Sequence, residues 1–389
     1  MRVLLIYLTN FLLTSSLGVV FVFLEDVQDD NGLADWELGV IVATGFGAAL
    51  VAQLLLSPLA DRGRTRPLAV AALAAGIVGP VGFAFGTTMP MLAASRGLAG
   101  IGLGVFGLLA RKALLGLDTA GGGAKLGILL STAVGGFILG PVIGAVLEPL
   151  GFPAPFLFVS TALALVGVPA TAIILRTEIA ATPVDYSDLG RLLARPKVQA
   201  AMLVNMVVFG FIGVFDVTID RFLTELGAST TQVAIMIIIV GGPLLVFPRI
   251  AGNLAERYGA ATIMFPGLIL LVPAMVGYGF AGSLVVAAAC GFLHGCNESF
   301  ASVSAQVQVL EVSGVERAAV GSALLETAGL IAATLAAAIA PIVYGSYGPR
   351  TLYVGTAVIG AATGLIAYVR TRQGSDIPLT AAAPLTPPA

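Results

Sequence analysis

A single histidine, His294, in 389 residues leaves no His-rich metal site to consider. Cysteine is almost as scarce. Cys290 and Cys296 stand six residues apart, and on one helix they face roughly opposite directions, so they cannot pair with each other and read as core thiols. Charge is missing as well: Asp, Glu, Lys and Arg make up 10% of the chain, against roughly 25% in soluble domains. A net charge of −2 excludes a nucleic-acid partner. No phosphate-cradling loop, nucleophile–base pair or sizeable soluble stretch is present, which argues against an enzyme, an ATP-driven machine or a cofactor. Nothing resembles a cleavable signal peptide, because the first apolar run is too long and lacks a small-residue cleavage site.

What is present is apolar residue, 58% of the chain. It falls into stretches long enough for a ~30 Å hydrocarbon core, at 3–24, 37–59, 67–86, 90–113, 126–148, 154–175, 198–219, 231–251, 261–281, 284–308, 318–342 and 351–370. The runs are continuous rather than alternating, so each is expected to be a helix that satisfies its own backbone. The expected fold is an all-α membrane protein of twelve transmembrane helices.

The scarce charges are sorted. Arg2, Arg62, Arg64, Arg66, Arg111, Lys112, Lys125, Arg176, Arg191, Arg195, Lys197, Arg249, Arg257, Arg317, Arg370 and Arg372 lie in alternate connections. The opposite connections hold only Arg221 and Arg350, and Arg96 falls inside a span. The positive-inside rule therefore places both termini in the cytosol of a plasma-membrane protein. The first outer loop, from Glu25 to Glu37, carries six acids and no base.

The chain also repeats itself at an offset of about 195 residues. Leu59-Ala60-Asp61-Arg62 matches Leu254-Ala255-Glu256-Arg257, Arg96 to Gly100 falls on Gly291 to Gly295, and Leu129 to Thr132 falls on Leu324 to Thr327. The division is a six-helix bundle over 1–175, a cytosolic linker over 176–197, a second bundle over 198–372 and a disordered Pro-, Ala- and Thr-rich tail over 373–389. Parallel six-span halves around a midplane site are a transporter architecture.

These residues resemble the major facilitator superfamily over all twelve spans, on three motifs. The loop after span 2 matches the family's Gly-x-Leu-Ala-Asp-Arg-x-Gly-Arg-Lys/Arg pattern at Leu59, Ala60, Asp61, Arg62, Arg64 and Arg66, with Ser57 in place of the leading Gly and Gly63 one position early. Span 4 carries an Arg-x-x-x-Gly segment at Arg96 and Gly100. Span 5 carries Gly-x-x-x-Gly-Pro-x-x-Gly at Gly136, Gly140, Pro141 and Gly144, with Ala145 where Gly is usual. The resemblance implies alternating access between two pseudo-symmetric bundles, and the span 5 motif implies the proton-coupled exporting branch. It implies a conformational latch at Asp61, Arg62, Arg64 and Arg66, with Glu256 and Arg257 as the repeat copy, and a role for Arg96 in tuning proton transfer.

Spacing and depth name the candidate proton carriers. His294, Asn297 and Glu298 share one face of span 10, and Glu298 lies near the midplane, where an unpaired carboxylate costs several kcal/mol. Asp216 in span 7 is expected close to the outer rim, and Glu326 in span 11 about 12 Å from the cytosolic side. A structural His–Glu contact between helices is the plainer reading of span 10. Asn10, Thr14, Asn297, Phe209 and Phe292 are candidate cavity residues, with helix packing an equal alternative for the first two. The span 5 glycines are expected to form a close-packed seam facing the other half. A largely apolar cavity suits small lipophilic or weakly cationic molecules exchanged for protons by a monomer in the bilayer, with an uptake carrier or uniporter of the same fold for a small solute as the alternative.

Overall fold

The computed structural model describes residues 2–61, 64–117, 122–177, 186–314 and 318–373. The first half comprises α1 (Arg2–Gly18), α2 (Leu24–Asp30), α3 (Asp35–Asp61), α4 (Thr65–Ala84), α5 (Met89–Leu117), α6 (Gly122–Leu147) and α7 (Pro153–Arg176). A short helix, α8 (Tyr186–Leu193), lies in the linker. The second half comprises α9 (Pro196–Glu225), α10 (Thr230–Val246), α11 (Pro248–Tyr258), α12 (Ala260–Ile269), α13 (Leu271–Phe280), α14 (Leu284–Ser313) and α15 (Ala318–Gln373).

Twelve crossings result, although several are not the straight rods that the sequence suggests. α10 and α11 form one crossing bent by 42° at Pro248, whose ring and missing N–H cannot continue the turn. α12 and α13 form another, interrupted at Leu270, three residues before Pro273. α15 contains two crossings that meet at Gly348, whose φ of 78° is open chiefly to glycine. α9 continues to Glu225 rather than stopping at 219, because Asp220, Arg221 and Glu225 find partners at its end.

The internal repeat extends to individual hydrogen bonds. Asn10 Nδ2 on α1 donates to the Leu129 carbonyl on α6 at 3.0 Å. In the second half, Asn205 Nδ2 on α9 donates to the Leu325 carbonyl on α15 at 2.7 Å. The donors lie 195 residues apart and the acceptors 196, so the two bonds match the sequence repeat to within one residue. Each staples the first helix of its half to the fifth.

The core divides unevenly between the two ends of the bundle. At the end bearing the Glu25–Glu37 loop, the acidic rim, one apolar core runs through both halves, from Val19 to Leu24 and Leu38 to Val42 across to Phe211, Val240, Tyr278 and Tyr353. At the opposite, basic rim there are two separate cores, one around Leu73, Phe106 and Leu163 and one around Val204, Met264 and Val309. The apolar core is continuous between the halves at the acidic end and divided between them at the basic end.

Candidate functional site

The site begins with a helix that ends early. After Gly18, α1 tightens into a 3-10 turn over Val19–Val22, which releases carbonyls from the α-helical ladder. The Leu17 carbonyl accepts a hydrogen bond from Arg96 Nη1 on α5 at 2.8 Å. The guanidinium lies over the Phe21 ring, 5.4 Å from its centroid, and beside Gly45 on α3. Arg96 is 3% exposed, so its guanidinium does not reach the outer surface.

Across the junction, Asp216 on α9 is 4% exposed. It lies within electrostatic range of Arg96 in the first half and Glu298 in the second. Because α9 runs on to Glu225, Asp216 lies about 14 Å below that end and not at the rim where the sequence places it. Glu298 stands about 21 Å along α14, partly exposed, and His294 precedes it by one turn. His294 Nε2 is 4.0 Å from Glu298 Oε2, too far for a hydrogen bond. Phe211 and Phe215 hold the imidazole edge-on at centroid distances of 4.2 and 5.1 Å.

Several polar atoms here have no hydrogen-bond partner among the described residues: Arg96 Nε, Asp216 Oδ2, both His294 nitrogens and the Tyr278 hydroxyl. Buried polar atoms left this way are costly. One buried cation from the first half thus faces the Asp216 carboxylate of the second, which in turn lies within range of Glu298. Among the described residues, no three His, Cys, Asp or Glu side chains gather as a metal site.

Other residues singled out in the sequence go elsewhere. Asn10, Thr14 and Asn297 spend their side chains inside their own halves: Asn10 on α6, Thr14 on the α1 carbonyls of Asn10 and Phe11, and Asn297 on the Gly267 carbonyl at 3.0 Å. Phe209 packs against Gly329. Phe292 lies about 120° around α14 from Glu298, nearly half exposed, with its edge to Phe247. The span 5 glycines do not face the other half. Gly136, Gly140 and Gly144 receive α1 along Phe11, Ser15, Val19 and Val22, and Gly140 has the Ser15 carbonyl where a side chain would start. The face of α6 toward the second half is carried instead by Ile138, seated on Gly241 of α10. Of the latch residues, the Asp61 side chain and Arg62 lie outside the described residues. Arg64, Arg66, Glu256 and Arg257 are exposed, and Arg257 lies over its neighbour Tyr258.

The tie between halves at the basic end involves residues that the sequence did not single out as partners. Arg111 on α5 grips Glu326 on α15 through both terminal nitrogens, at 3.1 and 3.2 Å. Gln53 on α3 donates to the same carboxylate at 3.0 Å. The one available signal was depth: Arg111 stands six residues before the end of α5, short of the rim. With side-chain exposures of 47% and 30%, the pair is wet. A double-mutant cycle of Arg111→Ala and Glu326→Ala, read by thermal unfolding, is expected to give a coupling of about 1 kcal/mol or less. A value near zero removes the tie.

An apolar groove of about 530 Å³ runs where the halves meet, lined by Val40, Thr44, Gly47 and Val51 of α3 and by Thr334 and Ala338 of α15.

The Major Facilitator Superfamily profile matches this chain twice in succession, at residues 4–211 and 201–387. The chain belongs to that superfamily. It is a transporter and not an enzyme. Solved structures of the superfamily fold superpose on it closely. A bacterial homologue of the human lysosomal transporter Spinster, in an inward-facing, unoccupied conformation, aligns with a TM-score of 0.80 at 14% identity, covering 96% of this chain and 97% of that one. The D323A mutant of the nucleoside transporter NupG aligns at 0.79 and 14%, covering 95% and 100%. A D-xylose–proton symporter aligns at 0.76 and 15%, covering 97% and 99%. At these identities the likeness is one of fold. No curated protein sequence matches the chain.

Proposed function

We propose that this superfamily transporter is a monomeric plasma-membrane exporter, moving small lipophilic or weakly cationic organic compounds out of the cell in exchange for protons. The observation that carries the reading is the Arg96, Asp216 and Glu298 set at the junction of the halves. Two carboxylates held there take up a proton or a cationic group, and not both at once. Arg96, fixed to α1, biases which carboxylate stays charged. His294 supports Glu298 from one turn away. With the basic rim in the cytosol, two separate cores on that side make this an inward-facing arrangement. The loop at Asp61 and Arg62 and the exposed Arg64, Arg66, Glu256 and Arg257 then belong to the cytosolic closure that forms when the basic rim shuts. Gly136, Gly140, Pro141 and Gly144 give α6 the close contact with α1 on which the Arg96 anchor depends.

Everted membrane vesicles from a pump-deficient host test the direction. Acidifying the lumen of these vesicles should drive cationic dyes into those carrying the protein, as protons leave in exchange. Accumulation in right-side-out cells instead makes it an uptake carrier. A reporter active only outside the cytosol, fused after Arg372, should be silent. Activity there inverts the topology and every rim assignment with it.

A further inference from the structure

The acidic rim is sealed by charges of mostly one sign. Asp220 on α9 is 5% exposed, and its Oδ2 accepts the backbone N–H of Glu25 on α2, in the other half, at 3.0 Å. Beside it, Arg221 Nη1 binds Asp35 Oδ1 on α3 at 3.0 Å, while its Nε binds Glu225 Oε1 at 3.0 Å and its guanidinium lies over Tyr344 of α15. Tyr344 donates to Glu225 Oε2 at 2.6 Å. Arg221 is therefore fully engaged with Asp35 and Glu225. The charged groups turned toward Asp220 from α2 are acids, Glu25 and Asp26. Further acids surround those two: Asp29 and Glu225 act on Glu25, and Asp29, Asp30 and Glu148 on Asp26. Glu148 is itself held across the halves by Thr230, at 3.0 Å. One turn below Asp220 stands Asp216.

Closing this seam takes Asp220 out of water against like charge. Opening it returns the carboxylate to solvent. A buried carboxylate held only by backbone amides, here those of Glu25 and Leu24, costs far more ionised than neutral, whereas an exposed one is readily ionised. From this geometry we infer that the acidic rim is a proton-operated gate, closed while Asp220 is protonated against α2 and released when it ionises. The Glu25 and Asp26 carboxyls point the same way: burial raises both, repulsion from neighbouring acids adds to it, and at Glu25 a hydrogen bond with Thr224 opposes it. Groups raised in the closed form stabilise that form at low pH and lose that contribution as pH rises through their raised values. The inference deepens the proton-exchange reading and rests on it for its sense. A carrier that has taken a proton from the acidic side would then shut that side and expose the other.

The test measures the gate without transport. Spin labels on Thr87→Cys and Gly282→Cys, at the acidic ends of the two halves, are placed in a protein whose Cys290 and Cys296 are replaced by alanine. Their distance is read in nanodiscs without substrate from acid to alkaline pH. The separated population should grow with rising pH. Asp220→Asn, which keeps an acceptor for the Glu25 amide but cannot ionise, should reduce that population at the alkaline end at least about fivefold. Glu25→Gln should move the response in the same direction by less. Arg221→Gln should separate the rim at every pH, because it removes a tie without removing the acids. A wild-type distance that ignores pH overturns the gate, as does Asp220→Asn opening at the wild-type midpoint. If Asp220→Asn does not fold, Glu25→Gln decides: an unshifted midpoint there also overturns it. Proton-driven transport by a protein whose rim ignores pH would leave the exchange reading standing and remove only the gate.

Discussion

Replacing Glu298 with Gln is expected to leave a protein that exchanges substrate downhill but no longer accumulates it against a gradient. Gln keeps the shape and hydrogen-bonding ends of a protonated Glu and cannot release a proton. Uphill movement driven by an acid gradient should fall at least about tenfold, while counterflow of labelled against unlabelled substrate survives. Glu298 is singled out by its surroundings. It stands midway along α14, partly exposed, with the His294 imidazole 4.0 Å away and the Asp216 carboxylate within electrostatic range. Glu326 is its control, since its carboxylate is occupied by Arg111 and Gln53, and Glu326→Gln should still pump. Asp216→Asn is the closer rival, because Asp216 faces Arg96 as well. If Glu298→Gln pumps uphill while Asp216→Asn does not, the proton rides on α9. If Glu326→Gln alone fails, it rides on α15. If all three pump, these carboxylates do not handle the driving ion.

Adding one methyl group at Gly140 is expected to do more damage than any polar substitution in the first half. A Cβ there would lie 2.7 Å from the Ser15 carbonyl, 2.8 Å from the Val19 nitrogen and 2.9 Å from the Gly18 carbon. All three are backbone atoms, so no rotamer relieves the contact, and α1 must move off α6. The shift lands on the break where the Leu17 carbonyl holds Arg96. Gly140→Ala should therefore cost about 3 kcal/mol or more and disturb the anchor of the buried cation. The matched control is Gly135→Ala, whose new Cβ would meet only the Phe11 ring at 3.9 Å. Thermal melting of the two purified proteins decides. If Gly140→Ala melts within about 2 °C of wild type, the seam is looser than its geometry indicates.

Much of the site's setting was legible in the residues. His294 and Glu298 share a face because a helix returns to the same side every three to four residues. The isolated charge of Arg96 in an apolar run pointed to a partner or a wet surface, and the structure supplies the Leu17 carbonyl and the Phe21 ring. Periodicity leaves Asn10 open between cavity and packing, and it names Asn297 for the cavity, whereas both side chains bond a neighbouring helix. A buried amide looks the same in sequence whether it faces a cavity or a neighbouring helix. Depth does not place Asp216 correctly, because the charged cluster that suggests a helix end at 219 lies within a helix that continues to Glu225. The span 5 glycines were correctly read as a close-packing face, and the helix that fills it was misplaced.

From its sequence alone, this chain is a twelve-span helical bundle, duplicated in its halves, with its basic residues gathered at one end and family motifs in three places. Those properties are local or additive: hydrophobic length, charge position and self-similarity need no knowledge of which helices touch. Tertiary structure decided that α6 packs on α1, that Arg111 and Gln53 meet Glu326, and that Asp216 lies between Arg96 and Glu298. The Arg111–Glu326 contact alone joins residues 215 positions apart. In a bilayer, lipid is as apolar as a neighbouring helix, so hydrophobicity does not mark the face that packs. The choice falls to the shape of small residues and to single hydrogen bonds, which acquire partners only once the chain has folded.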